Sequence, residues 1–132
     1  MLTKNSLSHF SGSERFFSHW TNRLVYTEGV RYVAENGGAH WLIDAIASHQ
    51  HECKKKELLK DFQVWRLYRD KLINRKAHLE CLDGNSDKTL IHQEIPYTDF
   101  PLDEIKFYVE KGSVDGLNIT MVMMLPSERY HE

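Results

Sequence analysis

The chain has few of the features that usually announce a function. Its 132 residues include only two cysteines, Cys53 and Cys81, too few for a disulfide framework. Two thiols in a chain without an export signal are expected to be reduced. The longest apolar run is "ITMVMML" at 119–125, far short of the roughly 20 residues that a spanning helix needs. The opening "MLTKNSLSHFSGSERFF" lacks the apolar stretch and small-residue cleavage site of a signal peptide, so the expected location is the cytoplasm, with no membrane contact. "NGGAH" and "DGN" have neither the lysine nor the strand–loop–helix setting of a phosphate loop, and no cofactor is expected. Paired-cysteine and H-E-x-x-H zinc motifs are missing, as is a calcium loop. These absences exclude a disulfide scaffold, a membrane span and a nucleotide enzyme. Without a repeat or linker, residues 1–132 read as a single domain.

What is present is an uneven distribution of charge. The net charge is −2, yet residues 54–78 carry nine Lys and Arg against three acids, and residues 79–132 carry eleven acids against four cations. The hydrophobic period also changes along the chain. "TEGVRYVAENGG" offers Thr27 as an N-cap and Val30, Val33 and Ala34 at i, i+3, i+4, a helix stopped by "NGG". "AHWLIDAIASHQ" predicts a second helix, apolar over most of its circumference, and "KKELLKDF" a possible third turn. From residue 62 the period becomes 2, predicting strands at 62–69, 77–83, 90–97, 105–111 and 118–125. "ERFFSHWTNRLVY" offers an additional edge strand. Short connections favour an antiparallel arrangement. The expected fold is α+β: an antiparallel β-meander of four to six strands, with two or three helices from the N-terminal half on one face.

Three stretches are chemically suggestive. In "ASHQHECKKKE", His49, His51 and Cys53 are candidate metal ligands, but zinc sites want three or four ligands and the rest would come from distant segments. The competing reading is a helix end, with positive charge where the dipole is negative. His40 and Asp44, one helical turn apart, are a candidate ligand contact or a buried polar hub. As a hub, Asp44 would accept bonds from a helix terminus, Tyr, Trp or Arg elsewhere. The basic tract 54–76, interleaved with Phe62, Trp65 and Tyr68, could track phosphates and stack on bases. Cross-strand pairing with the acidic strands is the alternative. No residue is assigned a catalytic role.

The acidic turns could instead face a basic protein partner. Asp99, Asp103, Glu104 and Asp115 are the candidates there. Met124 on the terminal strand joins them if that strand is an edge, where a homodimer could also form.

The stretches "RLVYTEGVRYVAENGGAHWLIDAIASHQ", "FQVWRL", "IPYTDFPLDEIKFYVEKG" and "LPSE" resemble an uncharacterised family of small bacterial proteins, found also on phages and plasmids. The resemblance carries over no catalytic residue and implies a mobile-element or accessory setting. The reading of the whole is a small cytoplasmic interaction module, with modulation or inhibition of a host or defence macromolecule as the expected role. The alternatives are a metal- or small-ligand-binding protein using residues 40–53, conceivably an enzyme, and a nucleic-acid binder using 54–76.

Overall fold

The computed structural model describes residues 2–3, 15–85, 88–113 and 116–129. Strands β1 (Phe16–Ser18) and β2 (Val25–Thr27) lead into three helices, α1 (Glu28–Gly37), α2 (His40–Ser48) and α3 (Gln50–Lys54). Strands β3 (Phe62–Arg69), β4 (Ala77–Leu82), β5 (Thr89–Ile95), β6 (Glu104–Gly112) and β7 (Thr120–Met124) follow. No helix among the described residues is long and apolar enough to cross a membrane.

Local chemistry explains the first helices. Thr27 caps α1 by accepting from the Val30 amide at 3.3 Å, and Gly38 ends it at φ 61°, a left-handed conformation open to glycine at no steric cost. The next helix starts almost at once, so α1 and α2 form a corner. Val30, Val33 and Ala34 of α1 join Leu42, Ile43, Ile46 and Ala47 of α2 in the core. The sheet contributes Trp65, Leu67, Leu79, Cys81, Phe107, Val109 and Met123 to the same cluster. These are alternate residues of their strands, so the helices cover one face and the other faces solvent.

The sheet is larger than expected and its order is not a meander. Seven strands lie in the order β1-β2-β7-β6-β3-β4-β5. β3, β4 and β5 are joined by hairpins, but β6 pairs with β3 rather than with β5. That is a Greek-key return. Residues 96–103 make it by crossing three strand spacings, about 14 Å at ~4.8 Å each. The connection is pinned by the buried Phe100, by Arg69 Nη2 donating to the Phe100 carbonyl at 2.6 Å and by the Thr98 amide donating to the Arg75 carbonyl at 2.7 Å.

The sheet is also mixed, because β2 pairs with β7 in parallel. The cause is the helical segment between β2 and β3: a long crossover returns the chain to the end where it began, leaving those two strands parallel. Strand β7 then fills the space beside β2. It is therefore an interior strand, flanked by β2 and β6, and Met124 is buried opposite Tyr108. The edges are β1 and β5, so an edge-strand homodimer could not use the terminal strand.

Candidate functional site

The residues of the "HQHEC" stretch point three ways. His49 ends α2, stacks on Trp65 at 5.5 Å between centroids and donates Nε2–H to Gln93 Oε1 at 2.8 Å. Cys53 is buried beside Cys81, both thiols being free. The hydrogen bond between them, with burial second, pushes the Cys81 thiol far above its usual range. His51 alone faces outward. No group of three or more His, Cys, Asp or Glu among the described residues is arranged to hold a metal.

His40 and Asp44 are not paired and neither is buried. The partner of Asp44 is His19, 25 residues away, whose Nε2 lies 2.7 Å from Oδ1. The Thr21 amide donates to His19 Nδ1 at 3.2 Å, so Nε2 carries the proton and donates to Asp44. Trp20 Nε1 donates to the same carboxylate oxygen at 3.3 Å. Asp44 thus ties the β1–β2 turn to α2. The apolar count of α2 had suggested burial; instead its polar edge meets that turn.

This anchoring matters because the turn carries Arg23. Residues 19–24 are closed by the His19 amide on the Leu24 carbonyl at 3.0 Å, with Asn22 at φ 61°, which a short polar side chain tolerates. In α3, Gln50 and Cys53 face the core, so His51 and Lys54, also three apart, face outward together. Arg23, His51 and Lys54 meet Lys60, at the entry to β3, and Lys111, near the end of β6, around a cleft of about 460 Å³. Ile119, Thr120 and Met121 line it as well.

The floor of the cleft is a closed amide pair. Gln50 and Gln63 each donate Nε2 to the other's Oε1 at 2.9 Å. Their second N–H groups go to the carbonyls of Ile46 and Leu59, both at 3.1 Å. Trp65 Nε1 adds a donor to Gln63 Oε1 at 2.7 Å. Every amide N–H of the pair is therefore used, and the floor fixes the shape of the cleft.

The cations of the rim differ in their commitments. Lys111 bonds Asp61 at 2.8 Å and holds that carboxyl below its ordinary range. Lys60 bonds Glu57 at 3.2 Å. The side chains of Arg23, His51 and Lys54 make no hydrogen bond or ion pair with any described residue.

Three other cations of the basic tract are paired on or beside the sheet, and Lys56 pairs with Glu52 of α3 at 3.8 Å. On the outer face, Arg66 bonds Glu104 at 2.5 Å and reaches Glu80 at 4.0 Å, while Lys76 bonds Glu94 at 3.1 Å. Arg69 pairs with Asp103 at 3.6 Å. Tyr68 donates to Glu80; burial, then that bond, raises its hydroxyl to about 12. Asp70 bonds His78 Nε2 at 2.7 Å, and His78 Nδ1 meets His92 Nε2 at 3.0 Å. The candidate acidic residues are likewise divided: Glu104 and Asp103 serve as partners of Arg66 and Arg69, Asp99 is exposed, and Asp115 lies outside the described residues.

Sequence reasoning found Lys54 and Lys60 in the basic tract but missed Arg23, Lys111 and Met121 as their neighbours. No spacing joins residues 23, 54, 111 and 121; only the parallel placement of β2 beside β7 does. His19 was equally hidden, in a segment read as an additional edge strand or an extended lead-in.

The fold and cleft define an α+β protein with a seven-stranded mixed sheet and one cationic recess on its helical side. It belongs to a family of unknown function, DUF6876, whose model matches residues 1–129. No curated protein and no solved structure matches the chain.

Proposed function

We propose that this protein is a recognition module whose binding site is the cationic cleft, and that its ligand is anionic. One observation carries this reading: five basic side chains from four separate segments converge on one recess, in a chain whose net charge is −2. Lys60 and Lys111 have carboxylate partners, but Arg23 and Lys54 have none among the described residues, and an anion relieves the repulsion that remains between them. The amide floor supports binding, because its donors are all committed and it holds the recess in one shape. Modulation of a host macromolecule fits this reading where that macromolecule carries or produces the anion.

The test uses citrate, a compact polyanion, titrated into the full chain at about 0.1 M salt. Saturable binding is expected in the native chain and should be lost in the Arg23→Glu/Lys54→Glu double variant. It should persist in the Lys71→Glu/Lys106→Glu double variant, which makes the same charge change at two exposed residues outside the cleft lining. Equal losses in both variants would mean that net charge, not the cleft, governs binding.

A further inference from the structure

Resting on that reading, we infer that the cleft takes a phosphomonoester, with its phosphate on Arg23 and Lys54 and its organic part against Ile119 and Met121. The charge count selects the head group. Lys60 and Lys111 already have carboxylate partners, whereas Arg23 and Lys54 have none among the described residues. Two uncommitted cations match the charge of about −2 that a phosphomonoester carries near neutral pH. A carboxylate or a phosphodiester brings one negative charge and leaves one cation unanswered. Arg23 also supplies a planar fork of donors suited to two phosphate oxygens, and Lys54 a point charge.

The walls select the body. Among the described residues no aromatic ring other than His51 lines the cleft, so they offer a nucleobase no row of stacking rings of the kind single-stranded nucleic acids use. The floor cannot read a base edge either. Both N–H groups of Gln63 are donated, and its oxygen accepts from Gln50 and Trp65. The lining also includes Ile119, which is 73% exposed, and Met121, half-buried. An exposed isoleucine beside an adaptable methionine suits an aliphatic group. The phosphate could belong to a small metabolite or be free in solution, and the aliphatic wall is what separates the two sources.

The experiment is a titration of the full chain followed by its backbone amide resonances, using four probes: butyl phosphate, inorganic phosphate, dimethyl phosphate and acetate. Butyl phosphate should bind at least tenfold more tightly than dimethyl phosphate or acetate, and severalfold more tightly than inorganic phosphate. Arg23→Gln or Lys54→Gln should each weaken it about tenfold, and Ile119→Ser should remove the advantage over inorganic phosphate alone. All three positions are exposed, so these variants are expected to fold. Equal binding of butyl phosphate and acetate would overturn the phosphomonoester inference while leaving an anion-binding cleft in place. Equal binding of butyl and inorganic phosphate would overturn the aliphatic body. Binding of none of the four would overturn this inference, and with citrate also unbound, the cleft reading falls too.

Discussion

Two places in this molecule concentrate charge and treat it in opposite ways. Glu128 is buried, and its carboxylate accepts from Thr27 Oγ1 at 2.6 Å, from the Gly29 amide at 3.0 Å and from the Leu125 amide at 3.0 Å. It closes the N-terminus of α1, where free amides and the helix dipole favour a negative charge. In the cleft, by contrast, Arg23 and Lys54 are exposed and without internal partners. A buried charge costs several kcal/mol unless the protein compensates it completely, so the Glu128 site must be finished within the fold. An exposed charge costs little to leave unpaired, so its pairing can be left to a ligand. The number of bonds a charge already makes separates the structural group from the recognising one better than its sign or its position in the sequence.

The largest expected effect tests that division. Glu128→Ala strands a hydroxyl and two amides in the core and should lower the unfolding free energy by about 3 kcal/mol, measured by urea denaturation. Citrate affinity of the folded variant should be unchanged. A variant that stays folded yet loses the ligand would break the comparison, by showing that the two charged places act as one.

Gly29→Ala sharpens it. A Cβ at position 29 would lie 2.5 Å from Glu128 Oε1 and 2.7 Å from Leu125 Cδ1, and neither side chain has free space to retreat into. Alanine's helix preference returns up to about 1 kcal/mol, against an overpacking cost of about 1–3 kcal/mol. The net loss should be about 1 kcal/mol in the native background. In the Glu128→Ala background the carboxylate is gone and only Leu125 Cδ1 obstructs, with space beside it to move into, so the same substitution should cost less than in the native background. Additive losses would show that Gly29 is constrained by something other than the carboxylate.

The contrast also shows what could be read without coordinates. Period and turn chemistry are local, and they located β3 to β7 within two residues at each end, together with the Thr27 cap and the glycine stop of α1. Strand neighbours are not local. Residues 96–103 read as an ordinary turn, whereas their Phe100 anchor lets them carry β6 across to β3. The helices gave no sign that the strands on either side of them would lie parallel. The site was lost with the topology. Glu128 sat unremarked in "LPSE" because its three donors come from residues 27, 29 and 125, and Arg23 looked like any charge beside an edge strand. The basic tract was visible as a tract, but which of its cations pair on the sheet and which reach the cleft depends on which acids lie opposite. Arg66 faces Glu80 on β4 and reaches Glu104 diagonally on β6; Lys54 pairs with no acid among the described residues.

Asp70 provides the finest test, since it is bonded like Glu128 but lies near the surface. Its carboxylate accepts from His78 Nε2 at 2.7 Å and from the Leu72 and Ile73 amides at 2.9 and 2.8 Å. The His78 bond first, then the two amides, holds it well below its ordinary value of 3.8. Because the folded value is the lower one, the unfolded chain binds the proton more readily. The stabilisation is complete above the unfolded value and is lost as pH falls through the range below about 4. Melting temperatures followed from pH 5 to pH 2.5 should therefore fall more steeply for the native chain than for Asp70→Asn, the two curves converging at the acid end. The effect should be the smallest of the three, because solvent screens a group so near the surface. Parallel curves would show that burial, not bonding, is what makes a charge structural here, and Asp70 would then belong with the open charges of the cleft.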